Sequence, residues 1–325
     1  MKRLLDLLSK YQIALILTML ALGFIIPDTF SIFNPYNTVF LQIIMFVAGL
    51  EMDYKELFAE LADWKTLLLT NAAKLVIIPV LVSIPLAVFA PEWSLPFIVA
   101  ATMPTGLTAH ALVAILGGRT SLALVSAATT SLLAPFTIPL VLKFLIGHEV
   151  FINTSGMMIQ IASAVVLPLL LAGIIQRLVG RRNVLKADVP LRTASLASFA
   201  LVVASITSAA AIASRNGGER ISDIGIDGLI IIVLMLVFWI GTAWFASALL
   251  SWRKPIDRAT ITFCLIYMNY TLGIWVGDMF FREAEIGTKL VAIVILIIAL
   301  VPAFRLLFPQ PKKPVGPVCL PGPHV

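Results

Sequence analysis

Charge is what this sequence has least of. Of its 325 residues only 12% are Asp, Glu, Lys or Arg, while 60% are hydrophobic; soluble domains carry about 25% charged residues. That shortage excludes an ordinary water-wetted enzyme. The hydrophobicity also excludes a disordered chain, which needs high charge and few apolar residues. Cysteine is nearly missing: Cys264 falls in an apolar run and Cys319 in a Pro-rich tail, which makes no disulfide framework. Histidine is scarce, and His110, His148 and His324 are too scattered for a linear metal motif. Neither a metal nor another cofactor is therefore expected. A G-x-S-x-G elbow and paired mid-membrane carboxylates are absent too, which weighs against a membrane-embedded enzyme.

What fills the chain instead is long apolar runs, with a mean hydropathy of +1.03. Ten segments match the hydrocarbon thickness of a bilayer, at residues 11–26, 35–50, 65–89, 95–117, 121–146, 155–175, 193–214, 228–252, 259–281 and 287–308. The formal net charge of +6 implies no nucleic-acid partner, because membrane proteins gather Lys and Arg in their cytoplasmic loops. One alternate set of loops holds most of the basic residues, among them Lys2, Lys55, Arg119, Arg181, Arg253 and Lys312. The other set holds little beyond Arg215, Arg220, Arg282 and Lys289. This asymmetry puts both termini in the cytoplasm of a multi-pass protein of the cell (inner) membrane, in contact with membrane lipid. The basic start followed by an apolar stretch, with no small-residue cleavage site, predicts a retained first helix.

The longest basic connection, residues 176–192, divides the segments five and five. An odd number per half inverts the second half relative to the first, as in transporters built from inverted repeats. The expected organisation is a first repeat at residues 1–150, a second at 151–310 and a Pro-rich cytoplasmic tail at 311–325. Each half carries an interruption in its fourth segment: Met103-Pro104-Thr105-Gly106, and Asn269-Tyr270-Thr271 followed by Gly273. Breaks free backbone N–H and C=O groups, which survive in a membrane only where protein, water or ligand replaces the lost bonds. The helix that restarts after a break offers N–H groups and a positive dipole end to an anion. Thr105, Thr108, His110, Asn269 and Thr271 are the candidate substrate residues. Pro79, Pro85, Pro135, Pro139 and Pro168 read as simple kinks.

Lys74 lies near mid-depth of the third segment, where a lysine costs about 2.5–3.5 kcal/mol and reaches the interface poorly. It is the prime candidate for ion coupling. His110 supports two readings, a proton-exchanging group or a neutral ring bonded to loop carbonyls. Asp278 and Lys143 fall close to the outer surface, and Trp64, Trp93, Trp252 and Trp275 suit interfacial belts.

Ser131-Leu-Leu-Ala-Pro-Phe-Thr-Ile-Pro-Leu-Val-Leu-Lys143 resembles the fifth-helix signature of the bile acid:sodium symporter family. Met103-Pro-Thr-Gly-Leu-Thr-Ala-His110 sits where that family has its crossover, and Phe46-Val-Ala-Gly-Leu-Glu51 is similar to its second-helix motif. Asn269 falls where the ninth-helix motif has its Asn. The resemblance implies an all-α membrane protein of ten transmembrane helices in two inverted five-helix repeats. Helices 1, 2, 6 and 7 would form a panel, helices 3–5 and 8–10 a core, with helices 4 and 9 broken and crossing. It also implies secondary-active transport of an organic anion by alternating access. The family holds sodium with side-chain oxygens, and the matching positions here are Lys74, Ala109, His110, Ala123, Ala127, Cys264 and Met268. Sodium wants oxygen ligands, so these sites are degenerate.

The expectation is a sodium-independent carrier of a small organic anion in which the Lys74 ammonium replaces a sodium ion, with protons coupled through Lys74 or His110, or facilitated diffusion. A sodium-coupled symporter is the second reading. A membrane enzyme, a sensor domain and an arsenite-type permease are further alternatives, the last disfavoured because Cys264 has no fourth-helix partner.

Overall fold

The computed structural model describes residues 12–147, 153–215, 224–281 and 286–308. The tail at 311–325, with Cys319 and His324, lies outside them, as does His148. Among the described residues the chain is helical, apart from turns and one isolated β-bridge. The helices are α1 (Gln12–Ile25), α2 (Pro27–Ser31), α3 (Asn37–Glu51), α4 (Tyr54–Glu60), α5 (Trp64–Ala72), α6 (Ile78–Phe89), α7 (Ser94–Thr102), α8 (Ala109–Leu116) and α9 (Thr120–Ile146). After these come α10 (Thr154–Ile161), α11 (Leu167–Val179), α12 (Arg181–Lys186), α13 (Asp188–Arg215), α14 (Gly225–Ala248), α15 (Pro255–Ile266), α16 (Tyr270–Phe280) and α17 (Gly287–Leu300).

Seven uninterrupted helical runs among the described residues are long and apolar enough to cross a membrane. Three of the ten segments read from the sequence are not among these runs. The described part of the first, α1, is 14 residues long. The fourth and ninth are each two short helices, α7 with α8 and α15 with α16. Trp64 and Trp252 are exposed, as an interfacial belt requires. Trp93 and Trp275 depart from that expectation: both are buried, Trp93 tilted against Phe97 and Trp275 donating its indole N–H to Thr38 at 3.0 Å.

Two proline kinks have a common and informative form. Pro79 and Pro168 each follow a π turn, Ala73–Ile77 between α5 and α6 and Ala162–Val166 between α10 and α11. Proline lacks an N–H and its ring clashes with the carbonyl four residues back. A π turn relieves that clash by looping out one extra residue: Ile78 N–H bonds the Ala73 carbonyl and Leu167 N–H the Ala162 carbonyl, both five residues back. Gln42 from α3 donates to the carbonyl of Ser163 in the second of these turns at 3.1 Å. Lys74 sits in the first.

The packing has two centres, joined where α10 packs on α9 and α13 touches α16 and α17. Helix α13 lies along α1 and α3, and α11 along α3. Gln176 of α11 is buried and donates to the carbonyls of Leu50 (2.7 Å) and Met52 (2.9 Å), closing the free end of α3. The second set centres on α9, which packs on α5, α7, α8 and α15, with α14 against α15 and α17 against both α7 and α16. At one end of this set the start of α5, the turn into α9 and the turn into α15 meet in a chain of ion pairs. Arg119 reaches Glu60 at 2.7 Å and Asp257 at 3.5 Å, and Arg253 pairs with Asp63 and Asp257. Burial opposes the Arg119 charge, yet Glu60 and Asp257 outweigh it and raise its pKa. Ser121 adds a hydrogen bond to Glu60, and the Arg119 N–H donates to Thr260.

Arg119→Ala takes the cation from Glu60 and one of two from Asp257, whose side chains are 10% and 5% exposed, leaving Glu60 to Ser121 and Asp257 to Arg253. Removing one partner of a buried pair costs about 3–5 kcal/mol, and the half-exposed arginine places this case at the lower end. Thermal unfolding in detergent should show a melting temperature several degrees lower, with Arg119→Lys recovering only part, because an ammonium cannot fork between two acids.

Candidate functional site

Helix α7 ends because Pro104 confines Met103 to extended backbone, φ −67° and ψ 140°. Helix α15 ends at Tyr267, φ −71° and ψ 111°, and the chain restarts two residues later at Asn269, whose side chain caps α16 by accepting the Leu272 N–H at 3.1 Å. The two extended breaks lie antiparallel and pair: Asn269 N–H donates to the Pro104 carbonyl at 2.8 Å, and Gly106 N–H to the Tyr267 carbonyl at 3.4 Å. Gly106 permits this approach, since a Cβ there would stand 2.6 Å from the Tyr267 ring and 2.9 Å from the Met268 carbonyl oxygen.

In an unbroken helix the Asn269 N–H would serve the carbonyl of Leu265. Spent on Pro104, it leaves that carbonyl free. Two side chains take its place: the Lys74 ammonium donates at 3.1 Å and the Trp239 indole N–H at 3.3 Å. Lys74 has no exposed surface, and its Nζ stands 5.3 Å from the centre of the Trp239 ring, where the ring face attracts a cation. The neighbouring carbonyl of Cys264 accepts from the Thr105 hydroxyl at 2.9 Å, and the Thr105 N–H donates to the Thr130 hydroxyl of α9 at 3.2 Å. Protein groups thus satisfy the crossing from three sides.

Four helix ends converge here. Helices α8 and α16 begin at the breaks and present positive ends, while α7 and α15 finish there and present negative ones. The ammonium of Lys74 sits at the carbonyl end of α15, the electrostatically favoured place for a cation.

Of the residues singled out in the sequence, Lys74, Thr105, Cys264, Met268 and Asn269 meet at the crossing. Thr108 is exposed and exchanges a 2.8 Å hydrogen bond with the buried Tyr267 hydroxyl. His110 is half-buried with Nδ1 2.7 Å from the Leu107 carbonyl of its own turn. Thr271 is buried in the first turn of α16. Ala109, Ala123 and Ala127 have no exposed surface. At the positions the resemblance assigns to sodium ligands, the three alanines offer no ligand, Cys264 and Met268 offer soft sulfur, His110 offers nitrogen and Lys74 an amine, whereas sodium wants oxygen. Trp239 and Thr130 escaped the sequence reading. A tryptophan in mid-segment, away from both interfaces, was the available signal for the first.

Gly106→Ala should force Tyr267 or the Met268 carbonyl away from the crossing. The expected outcome is a large loss of thermal stability, about 2 kcal/mol or more by the cost of a forced close contact, read in a detergent melt beside Gly241→Ala, where a Cβ meets nothing within 4 Å.

The profile of the SBF-like CPA transporter family matches residues 11–303 of the chain. Among curated proteins, the uncharacterized sodium-dependent transporter YocS of Bacillus subtilis (strain 168) is 27% identical over 191 residues, which are 58% of this chain and 59% of that protein. The chain therefore spans about three fifths of the length of the curated relative it matches.

Proposed function

The chain belongs to the SBF-like CPA transporter family, and on that premise we propose that it is a secondary-active transporter that moves an organic anion by alternating access without sodium, Lys74 standing in for the ion. Family and relative both point to a transporter rather than an enzyme. The observation that carries the sodium-independent reading is the fully buried Lys74 ammonium on the Leu265 carbonyl, at the seam of the two broken helices.

In this reading α1, α3, α10–α11 and α13 form the panel, and α5–α9 with α14–α17 form the core. Residues 1–150 and 151–310 are the inverted repeats, in the cell (inner) membrane with both termini in the cytoplasm. The packing of α13 on α1 and α3 supports the panel; in this reading panel and core meet where α13 touches α16 and α17 and where α10 packs on α9. The anion binds at the positive ends of α8 and α16, held by Thr105, Thr108, His110, Asn269 and Thr271. Of these the exposed Thr108 is the most accessible to a solute. The panel rocking against the core exposes that site to each side in turn. Coupling is to protons through Lys74 or His110, or the transport is facilitative.

One observation favours a second reading. The relative's own description is sodium-dependent, and backbone carbonyls at the breaks are oxygen donors. A sodium-coupled symporter is the alternative.

The test begins with a thermal-shift screen of organic acids, followed by uptake of the best binder into proteoliposomes. Replacing sodium with choline should leave the rate within about twofold, well under the tenfold that 1.4 kcal/mol of lost coupling produces. Strict sodium dependence selects the alternative. Lys74→Gln should slow uptake by about tenfold or more, the cost of leaving a buried carbonyl less well paired, and flatten its pH profile. Unchanged uptake and pH profile in Lys74→Gln would end the role given to Lys74.

A further inference from the structure

Among the hydroxyls buried without a hydrogen-bond partner are Thr66 and Thr70 on α5 and Ser126 on α9. None is more than 2% exposed. Buried polar side chains are almost always paired, and an unpaired hydroxyl costs about 1–3 kcal/mol. Three of them on two packed helices call for an occupant.

Their heights can be compared. Helices α5 and α9 both start at the same ion-pair network, α5 beside Asp63 and α9 beside Arg119, and run side by side in the same direction. The Thr129 hydroxyl donates to the Asn71 side-chain oxygen at 3.1 Å, which sets the register between them. Counting from that bond, Ser126 stands level with Leu68. Going inward from the network, the polar groups then come in the order Thr66, Ser126, Thr70 and Lys74. At 1.5 Å of rise per residue, successive groups are separated along the helices by roughly 3–6 Å, and the whole ladder is about 12 Å tall. Thr66, Thr70 and Lys74 follow at four-residue spacing on one flank of their helix.

We propose that a file of ordered water occupies the seam between α5 and α9, bonded to these three hydroxyls and joining the ion-pair network to Lys74. Water suits the donors and acceptors present, since a bridging molecule makes two to four hydrogen bonds to such groups. A metal cation does not suit a file that ends on an ammonium. The charged groups at its base are Asp63, Arg253, Asp257, Arg119 and Glu60. At its top Cys264 of α15 interacts electrostatically with Lys74 and the Trp239 ring of α14 lies against it, while α7 carries no ionisable side chain and α14 only Asp227, at its far end. The file's use as a proton route to Lys74 rests on the function proposed above; its existence does not.

X-ray hydroxyl-radical footprinting of the full chain in nanodiscs tests it, because radicals form from bound water and oxidise the side chains beside it. Cys264, which has no exposed surface, should be oxidised like a solvated thiol. The signal should be lost in Thr70→Val combined with Ser126→Ala, and kept in Thr70→Ser. A wild-type Cys264 that stays unmodified overturns the proposal, even if the double variant fails to fold. So does labelling that disappears when sodium chloride replaces choline chloride, which would identify the occupant as sodium. In Lys74→Met the labelling should persist. If that variant is labelled yet transports with an unchanged pH profile, the water file stands and the role given to Lys74 falls.

Discussion

One hydrogen bond organises the centre of this protein: the Lys74 ammonium on the carbonyl of Leu265. The Asn269 amide that would hold that carbonyl in a continuous helix binds Pro104 across the crossing instead. Each interruption therefore satisfies the other's backbone, and a charge brought in from a third helix closes the account. Remove the amine and a carbonyl is left with the Trp239 indole alone, in a region where an unsatisfied peptide group costs several kcal/mol. Remove the crossing and the amine loses the carbonyl that makes its burial tolerable. The two features stabilise one another, which is why a lysine can lie without exposed surface at that depth.

The position of the amine depends on Pro79. By forcing a π turn over Ala73–Ile77, the proline widens the helix by one residue where Lys74 projects. The consequence reaches along the whole segment. Thr66, Thr70, Lys74, Ile78, Val82 and Leu86 are all buried and follow at steps of four. In an α-helix of 3.6 residues per turn such a row drifts around the axis; the wide turn compensates in the middle, and the row stays turned inward. A polar half and an apolar half thus share one buried face, the polar half on the side of the ion-pair network.

Much of this was legible in the sequence. The two breaks were visible because Pro104, Gly106 and Asn269 are residues whose backbone preferences interrupt helices, and Lys74 was visible because charge is so rare in the apolar runs. The crossing's exact partners were not legible. The Lys74–Leu265 bond joins residues 191 apart in the chain, and the pairing of Thr105 with the Cys264 carbonyl and Thr130 depends on three-helix geometry that no local pattern encodes. The π turns were read as plain kinks, because proline announces a clash without saying how the helix resolves it. Trp93 and Trp275 were assigned to the interface by residue type, yet packing and the Thr38 hydroxyl draw them inside.

A tethered amine differs from a borrowed ion in one respect that follows from its covalent bond. It cannot depart with cargo, so the only charge it can pass across the membrane is a proton that it binds and releases. Membrane voltage, worth about 2.3 kcal/mol per elementary charge per 100 mV, acts on it only through whatever distance the amine itself travels within the field. Any electrogenic work done by this protein must be carried by mobile charges, and the lysine returns to its starting potential each time.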